Sequence, residues 1–538
     1  MSRIVLSLSL LVALFALLSL TTLQPKSFEE VKKPNIIVIL ADDMGYSDIG
    51  CFGSEIRTPH LDDMARSGLK LTQFYNASRC CPSRASLLTG LYQHQAGVGD
   101  MVNTRPQPAY QGYLNDSCVT IAEALKAGGY ATFMTGKWHV GEKRPHWPLD
   151  RGFDRYFGLI NGANSYFSLR PYRPRQKLTI ALDNEEFVPG KGFYSTDAYT
   201  DYALKFLEGN RNSNKPFFLY LAYQAPHWPL HALPEDIARY RDRYAKGWDA
   251  LRLERFRRMQ QLGVLDKNAQ LSPRDEHVPA WETASKEVQH DWQEKMAVYA
   301  AMVDRMDQNI GRLRQWLRQS GQEKNTLVVF LSDNGASYEN VDGPGFTPEI
   351  LEARTKPASD SSSFTAYAYP GANVSNTPFR YYKHLVYEGG IATPFVASFP
   401  GFIRPGRSSS QPAHVVDLMA TCLDLAGVAY PRTFQNRPVK PTEGISLKPL
   451  LKGTAWKGHD ALFWEHEGAR AVRQGNWKLV SLYPENVWRL YDLKTDRSEL
   501  RDLAAQKPQK VQQLAALYDS WATRAGVIPF KLIDRGEN

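Results

Sequence analysis

The chain has 538 residues, of which 43% are hydrophobic and 22% charged, a composition typical of globular proteins that excludes a disordered polymer. Its length exceeds what one hydrophobic core usually serves, so we expect two domains. The formal net charge of +9 suits an anionic substrate. Acidic and basic residues are interleaved, however, and no zinc-finger, RNP-type or basic-region pattern occurs, so nucleic-acid binding has no support.

The first twenty residues are predicted to direct export. Arg3 supplies a positive charge, and residues 4–20 are apolar apart from three serines. We interpret residues 1–24 as a signal peptide, with an uncleaved anchor as the alternative because no Ala-x-Ala cleavage site follows. Either segment would place the body of the protein outside the cytoplasm, in the periplasm or secreted. Only the anchor would attach it to a membrane.

Strand-like and helix-like segments alternate from Asn35 onwards. Apolar, β-branched runs at residues 35–40 and 326–331 predict buried parallel strands, and KPFFLYLAY and PFVASF predict two more. Helical patterns separate them, including VTIAEALKAGG and a long amphipathic segment over residues 290–321. This alternation predicts an α/β fold over residues 33–450, with a large, mostly parallel sheet flanked by helices.

Two regions depart from this alternation. Residues 339–380 are rich in Gly, Pro, Ser, Asn and Thr, and we predict a long loop of the kind that is often functional. From about residue 455, short alternating runs such as WKLVSLY and WRLYDL predict a small antiparallel sheet, followed by a helix from about Lys507 to Thr523. We therefore place a C-terminal domain at residues 455–538.

Polar residues follow three of the predicted strands directly. Asp42 and Asp43 come after the first strand, Asp333 and Asn334 after TLVVFL, and His227 shortly after KPFFLYLAY. Ligands of parallel sheets bind beyond the carboxyl ends of the strands, so we expect these side chains to meet there. Oxygen ligands favour Ca²⁺, and secondarily Mg²⁺, over zinc. Each acidic pair alone is also typical of a structural turn.

Cys80 and Cys81 lie in SRCCPSRASLLTG, at the start of a short predicted helix that Gly90 ends. Three interpretations compete: a redox or metal pair, a buried apolar pair, or one cysteine kept for special chemistry. Adjacent cysteines do not easily chelate one zinc ion, a vicinal disulfide is strained, and five cysteines are too few for a disulfide scaffold. The free N–H groups at the helix start would favour an anion, which Arg84 is placed to reach.

These residues make the chain resemble the sulfatase family. The segment from Cys80 to Gly90 matches the signature C-x-P-S-R-x-x-L-L-T-G at every specified position, and GGYATFMTGKWHVG at residues 128–141 matches a second signature. The resemblance runs from about Lys33 to the C-terminus, and APHWPLH and YEGGIATPF make it closest to bacterial arylsulfatases. It implies an alkaline-phosphatase-like fold and hydrolysis of aryl, alkyl or carbohydrate sulfate monoesters to the alcohol or phenol and inorganic sulfate.

The resemblance also assigns the paired cysteines. It implies that a separate maturation enzyme oxidises Cys80 to formylglycine, and that Cys81 has a packing role. In the implied chemistry, one hydroxyl of the aldehyde hydrate would attack sulfur as the alcohol leaves, and the second would let the aldehyde re-form as sulfate leaves. A serine ester would lack that second step and should stall.

The remaining site residues follow from the resemblance position by position. Ca²⁺ ligands are implied at Asp42, Asp43, Asp333, Asn334 and the side chain at position 80. We further hypothesise that Asp333 accepts the proton of the nucleophile.

Cationic and imidazole groups are implied around the sulfate. Lys137 and Lys383 would bind it, His139 would contact the formylglycine hydrate, and His227 would contact sulfate and protonate the leaving oxygen. Together with Ca²⁺, Arg84 and the two lysines outweigh the three aspartates, which predicts a cationic pocket of the kind that stabilises transition-state charge.

Two other functions stay open at this point. One is a phosphonate monoester or phosphodiester hydrolase of the same superfamily, and the other is a non-enzymatic binder of sulfated glycans. The complete matches to L-L-T-G and G-K-W-H favour sulfate hydrolysis.

Overall fold

A mixed sheet of eleven strands forms the centre of the computed structural model, which describes residues 33–533. Its strands are β1 (Asn35–Ala41), β2 (Leu69–Tyr75), β3 (Ala131–Gly136), β4 (Arg155–Leu159), β5 (Ile180–Leu182), β6 (Glu185–Glu186), β7 (Phe217–Ala222), β8 (Thr326–Ser332), β9 (Ala392–Ser398), β10 (Arg407–Ser409) and β11 (Ala413–His414). They lie in the order β10-β2-β9-β8-β1-β7-β3-β4-β5-β6, and β11 also pairs with β2.

The strands at the centre of this sheet run parallel. β1 pairs in parallel with β7 and β8, and β3 pairs in parallel with β7 and β4. All seven residues of β1 are buried, because both faces of the sheet are covered. Burial on both faces explains why the sequences of β1 and of β8, the strand predicted at Thr326, are continuous apolar runs.

One predicted strand has the opposite direction. β9, which contains PFVAS, is antiparallel to both β2 and β8, so its carboxyl end lies at the other edge of the sheet. The prediction of a mostly parallel sheet is confirmed. The sequence does not predict the direction of β9, because an apolar run reads the same for a parallel and an antiparallel strand and the direction depends on the path of the chain between paired strands.

Helices cover both faces of the sheet. They are α1 (Pro59–Ser67), α2 (Cys80–Thr89), α3 (Ile121–Ala127), α4 (Ser195–Asn210), α5 (Pro234–Ile237), α6 (Gly247–Gln261), α7 (Lys286–Gln319), α8 (Pro348–Ala353), α9 (Ala368–Ser375), α10 (Glu388–Ile391), α11 (Asp417–Ala426), α12 (Lys448–Lys452) and α13 (Pro508–Ala525). Ile37 and Ile39 of β1 face a core shared with α1, α4 and α7. Ile36 and Val38 face a second core shared with α2, α3 and α11. This alternation is the two-residue period of a strand.

Helix α2 agrees with the prediction made from its sequence. It starts at Cys80 and ends at Gly90, whose φ of 69° is the left-handed conformation that suits glycine at this position. All ten of its residues are buried. The helix is therefore enclosed by the fold.

The segment over residues 339–380 is more regular than predicted, since it contains α8 and α9. Helix α8 begins with Pro348, a residue suited to the first helical position, within a stretch whose composition alone is typical of a loop.

The C-terminal elements match their predictions. Strands β14 (Leu462–His466), β15 (Ala469–Gln474), β16 (Trp477–Ser481) and β17 (Arg489–Asp492) form an antiparallel sheet, preceded by the small hairpin of β12 (Thr433–Phe434) and β13 (Arg437–Pro438). One face packs Val472 and Leu479 against Trp521 of α13, and the other packs Trp464 into the main core. The division into domains at residues 450–455 stays a prediction.

The predicted export segment, residues 1–24, lies outside the described residues. Between residues 33 and 533 no helix combines the length and the apolar character that crossing a membrane would need. The exported location therefore stays a prediction.

The start of α1 generates a stability prediction. The buried carboxylate of Asp307, on α7, accepts the backbone N–H groups of His60 and Leu61 at 3.0 and 2.8 Å. Asp307→Asn places an amide N–H against one of these donors and should cost about 1–3 kcal/mol in the free energy of unfolding measured with urea. Asp291→Asn removes an exposed pair with Lys295 on the same helix and should cost less than about 1 kcal/mol. Equal losses would contradict this capping role.

Candidate active site

The carboxyl ends of four adjacent parallel strands form one edge of the sheet. The residues that follow them are Asp42 and Asp43 after β1, Asp333 and Asn334 after β8, His227 after β7, and Lys137 and His139 after β3. Backbone hydrogen bonds tie these ends together: Asp333 N donates to Ala41 O at 3.1 Å, and Lys137 N donates to Ala222 O at 2.8 Å. Sheet pairing therefore sets the positions of these side chains.

The backbone at this edge requires special conformations. Gly136, the last residue of β3, has a φ of 108°, and a Cβ there would lie 1.8 Å from the carbonyl oxygen of Ala222. Only glycine allows this close approach. Asp43 and His139 adopt left-handed φ values of 63° and 56°. Such strained non-glycine residues cluster at functional sites.

Arg84 organises the base of the site, by which we mean its buried floor at the strand ends. From within α2, its Nε and Nη2 donate to the same oxygen, Asp333 Oδ2, at 3.0 and 2.7 Å. Its Nη1 donates to the carbonyl oxygen of Lys137 at 2.8 Å. The side chains of Arg84 and Asp333 are both fully buried. Arg84 thus joins helix α2 to the ends of β3 and β8. The local sequence around Arg84 does not reveal that Asp333 is its partner.

Two lysines neutralise the other aspartates. Lys137 Nζ donates to Asp42 Oδ2 at 2.6 Å, and Lys383 Nζ donates to Asp43 Oδ2 at 2.9 Å. His227 Nε2 lies 3.4 Å from the same oxygen of Asp43. Its Nδ1 lies 2.6 Å from the carbonyl oxygen of Trp228, which can only accept, so Nδ1 carries a proton. The orientation of the imidazole is fixed by that bond.

Two side-chain oxygens in this cluster have no hydrogen-bond partner. Asp42 Oδ1 is one and Asn334 Oδ1 is the other, and both residues are 0% exposed. The amide of Asn334 donates to Asp43 Oδ1 at 2.7 Å and to Gly335 O, which leaves its own oxygen open. Unsatisfied buried acceptors cost free energy, and a bound cation would satisfy them.

The proton affinities of these carboxylates also fit a cation. Burial raises the pKa of Asp42 to about 6, against the lowering effect of Lys137. Burial and the neighbouring Asp42 raise the pKa of Asp333 to about 8. Positive charge added between the two would lower both values. The donor set is composed of carboxylate and amide oxygens, which suits a hard divalent cation.

Cys80 lies at the start of α2, beside this cluster. It is 2% exposed, and its thiol lies with Cys81 Sγ and His139 Nε2 in a group whose ligand atoms are within 4.8 Å of one another. Hydrogen bonding from Cys81, helped by the charge of Lys137, lowers the pKa of Cys80 well below its usual range. Burial lowers the pKa of His139 to about 4, so that its imidazole is neutral near pH 7.

The ten residues expected to form the site are thus assembled at one place. The network contains three further groups that the motifs do not identify. Cys81 Sγ lies 3.4 Å from His139 Nε2, so the second thiol contacts a site residue as well as packing. Glu339 accepts from Lys383 at 2.9 Å and from Arg79 at 3.0 Å. The charges of Arg79 and Glu339 offset each other, so the positive balance expected with a bound divalent cation is unchanged.

Comparison with known proteins identifies the family. The family model described as Sulfatase matches residues 34–428, and the model described as N-sulphoglucosamine sulphohydrolase, C-terminal, matches residues 379–520. The chain belongs to the sulfatase family. This sulfatase is 35% identical over 532 residues to an uncharacterized sulfatase of Schizosaccharomyces pombe, an alignment covering 93% of this chain and 95% of that protein.

Two further comparisons bear on activity and fold. The sulfatase is 36% identical over 442 residues to an arylsulfatase of Klebsiella aerogenes, covering 78% of this chain and 92% of that one. A crystal structure of Ps i-CgsB in complex with k-i-k-neocarrahexaose matches with a TM-score of 0.67 and 27% identity, covering 91% and 93% of the two chains. The protein is a sulfuric ester hydrolase, and the expected alkaline-phosphatase-like architecture is confirmed.

The buried Arg84–Asp333 pair generates a prediction for the metal-free sulfatase. Arg84→Ala leaves Asp333 buried without its cation and should cost about 3–5 kcal/mol in the free energy of unfolding, measured with urea in the presence of a chelator. The matched change Arg312→Ala breaks a pair with Asp201 in which both side chains are exposed, and it should cost less than about 1 kcal/mol. A loss at Arg84 as small as that at Arg312 would show that the pair does not organise the site.

Proposed function

We propose that this sulfatase cleaves sulfate monoesters with a formylglycine formed at Cys80 and a Ca²⁺ ion held by Asp42, Asp43, Asp333 and Asn334. The observation that carries the proposal is the pair of partnerless oxygens, Asp42 Oδ1 and Asn334 Oδ1, buried beside the start of α2. Buried acceptors without donors are expected where a cation completes the site.

Calcium fits this set of ligands better than other metals. All four side chains offer oxygen, and Ca²⁺ tolerates a wider range of oxygen arrangements than Mg²⁺, which requires near-ideal octahedral geometry. When bound, Ca²⁺ would offset the buried carboxylates and draw electron density from an oxygen of the sulfate.

The lysines are placed to hold the sulfate group. Lys137 and Lys383 are each at most 1% exposed and contact different aspartates of the cluster, Asp42 and Asp43. Both ammonium groups have further donors for the oxygens of an anion. Since water is excluded around them, their attraction for developing negative charge is stronger than in solution.

Two histidines support proton transfer and orientation. His227 directs Nε2 towards Asp43, but burial lowers the pKa of this imidazole to about 4 against the raising effect of that charge, so the ring is neutral near pH 7. We propose that Nε2 takes up a proton when the negative charge of a sulfate ester is bound beside it, and passes that proton to the leaving oxygen. His139 faces the Cys80–Cys81 end of the site. Asp333 keeps one oxygen free of Arg84, contacting the backbone N–H of Asp43 at 3.3 Å, and we assign it as the proton acceptor for the nucleophile.

The side chain at position 80 requires conversion before the site is complete. A hydrated formylglycine would supply one hydroxyl to displace the alcohol from sulfur and a second that would let the aldehyde re-form as sulfate leaves. Since Cys80 is 2% exposed and α2 is buried throughout, a maturation enzyme would need the segment before the chain has folded around it. The conversion is therefore expected to precede folding.

We further propose a hydroxyl-rich alcohol, such as a sulfated carbohydrate, as the group esterified to sulfate. The mouth of the site is polar and charged: the Arg79 side chain is 13% exposed, that of Glu339 24% and that of Glu142 30%. Such groups hydrogen-bond hydroxyls more readily than an aromatic ring. The oligosaccharide bound by Ps i-CgsB gives further support.

The calcium site generates the first functional prediction. Asn334→Ala removes one partnerless oxygen and should weaken Ca²⁺ binding about 10-fold or more, measured by calorimetry, with a parallel rise in the Ca²⁺ concentration needed for activity. Asn373 is a matched control, because it is buried on α9 and also has a partnerless side-chain oxygen. If Asn373→Ala weakens Ca²⁺ binding equally, the assignment of the site is wrong.

The proposed nucleophile at position 80 generates a second functional prediction. Cys80→Ser should lose steady-state turnover of p-nitrophenyl sulfate, whereas Cys81→Ser should keep it within about tenfold. Mass spectrometry of the peptide over residues 80–84 from active protein should show the aldehyde. A fully unmodified thiol in active protein would contradict the mechanism.

The same assay separates the rival hydrolase activity. We expect hydrolysis of p-nitrophenyl sulfate to exceed that of the corresponding phosphate diester and phosphonate monoester, measured as kcat/KM. The opposite order would assign the site to phosphorus esters.

A further inference from the structure

Three side chains form a second potential metal-binding group outside the calcium site. They are His384, which follows Lys383, His466, the last residue of β14, and Glu467 in the turn before β15. We propose that this histidine cluster binds a transition-metal dication of the Zn²⁺ type. The proposal is independent of the calcium and formylglycine chemistry, since it concerns different ligands and a different class of ion.

The spacing of the ligand atoms fits a metal better than a set of hydrogen bonds. His384 Nδ1 lies 3.5 Å from Glu467 Oε2, and His466 Nε2 lies 3.5 Å from Glu467 Oε1. These distances are longer than ordinary N–H···O hydrogen bonds. Around a tetrahedral Zn²⁺ with bonds of about 2.0–2.2 Å, neighbouring ligand atoms lie about 3.3–3.6 Å apart. One ligand atom from each of the three residues lies within 4.8 Å of the others, so a small adjustment would close the site.

His466 supplies independent support. Its side chain is 0% exposed, and neither of its ring nitrogens has a hydrogen-bond partner. A buried imidazole without hydrogen-bond partners carries the full cost of its desolvation. A metal ion between His466 Nε2 and Glu467 would remove part of this cost. No hydrogen bond within the cluster removes this cost, because neither ring nitrogen of His466 forms one.

The other nitrogen of His384, Nε2, contacts both a carboxylate and a guanidinium group. His384 Nε2 lies 3.2 Å from Glu339 Oε1, and a proton donated there leaves the lone pair of Nδ1 facing Glu467. A carboxylate on the far side of a histidine ligand fixes the tautomer and increases its basicity. Arg79 Nη1 also contacts Nε2. In the competing arrangement Arg79 donates to Nε2 and no ion is present, but this leaves both ring nitrogens of His466 without a hydrogen-bond partner.

The types of ligand discriminate between ions. Two imidazole nitrogens and one carboxylate favour Zn²⁺ or a related transition metal, whereas the oxygen-only cluster favours Ca²⁺. Three protein ligands leave a fourth position for water.

Such an ion would connect two separate parts of the fold. His466 ends β14 and Glu467 lies in the turn to β15 of the C-terminal sheet, and His384 is adjacent to Lys383. The metal would therefore fasten this sheet to the segment that carries a proposed sulfate-binding lysine. Binding to the folded state alone stabilises it as metal concentration rises above Kd, so Tm should rise with added Zn²⁺.

The experiment uses the full chain carrying Cys80→Ala, which removes a thiol from the other cluster able to bind soft metals, with Ca²⁺ held at saturation. After chelation, Co²⁺ is titrated in as a spectroscopic substitute for Zn²⁺, and Zn²⁺ binding is measured by calorimetry. We expect one equivalent of Co²⁺ to give the visible d–d absorption of a four- or five-coordinate nitrogen and oxygen site. Glu467→Gln should raise Kd by at least about 10-fold, which is the smallest effect usually seen when even a residue that only hydrogen-bonds to a metal ligand is replaced.

His466→Gln should abolish the absorption. If that variant does not fold, Glu467→Gln still decides, because its side chain is 36% exposed and its replacement is nearly isosteric. His94→Gln is the matched control. His94 is a buried imidazole whose Nε2 lies 2.7 Å from Glu465, the residue that precedes His466 in β14. Its replacement should leave Co²⁺ binding unaltered. Absence of the absorption in the parent, or equal affinity in Glu467→Gln, would overturn the proposal. Loss of sulfatase activity would affect neither readout.

Discussion

The site depends on burying three aspartates beside one another. Asp42, Asp43 and Asp333 are each at most 2% exposed, and isolated carboxylates in such surroundings would be costly. Each is therefore matched to a buried cation, supplied by Lys137, Lys383 and Arg84 respectively, so the fold assembles anion-binding groups as a consequence of neutralising its own acids. The oxygens that remain unmatched are those best suited to a metal ion. Charge balance thus connects the stability of the fold to the chemistry of the site.

The parallel strands hold this network in register. β1 lies between β7 and β8, and the backbone bonds beyond their ends extend the pairing into the residues that bear the side chains. A site built on paired strand ends moves little, which is what preorganised electrostatics requires. Helix α2 adds Cys80 and Arg84 from one side, and its complete burial prevents it from shifting independently.

The base and the mouth of the site differ in composition and in what determines them. At the base, every charged group is almost fully buried and paired. At the mouth, Arg79, Glu339 and His384 are partly exposed and come from loops. In the proposed function, the rigid base would therefore recognise the sulfate group, whereas the alcohol would meet loop side chains. The histidine cluster lies on the mouth side, next to Lys383, so an ion bound there would limit the freedom of these loops.

The sequence by itself determined the buried strands, the short helix from Cys80 to Gly90, the C-terminal sheet and the polar residues beyond the strand ends. These features are local, because period, helix-ending glycine and motif spacing are properties of neighbouring residues. Only the tertiary structure decided the antiparallel direction of β9, the pairing of Arg84 with Asp333, the attachment of Glu339 to Lys383, and the meeting of His384 with His466. In each case the groups belong to separate segments of the chain. Nothing in the local pattern of one segment specifies its partner, because the contact exists only when the packed sheet brings the two together.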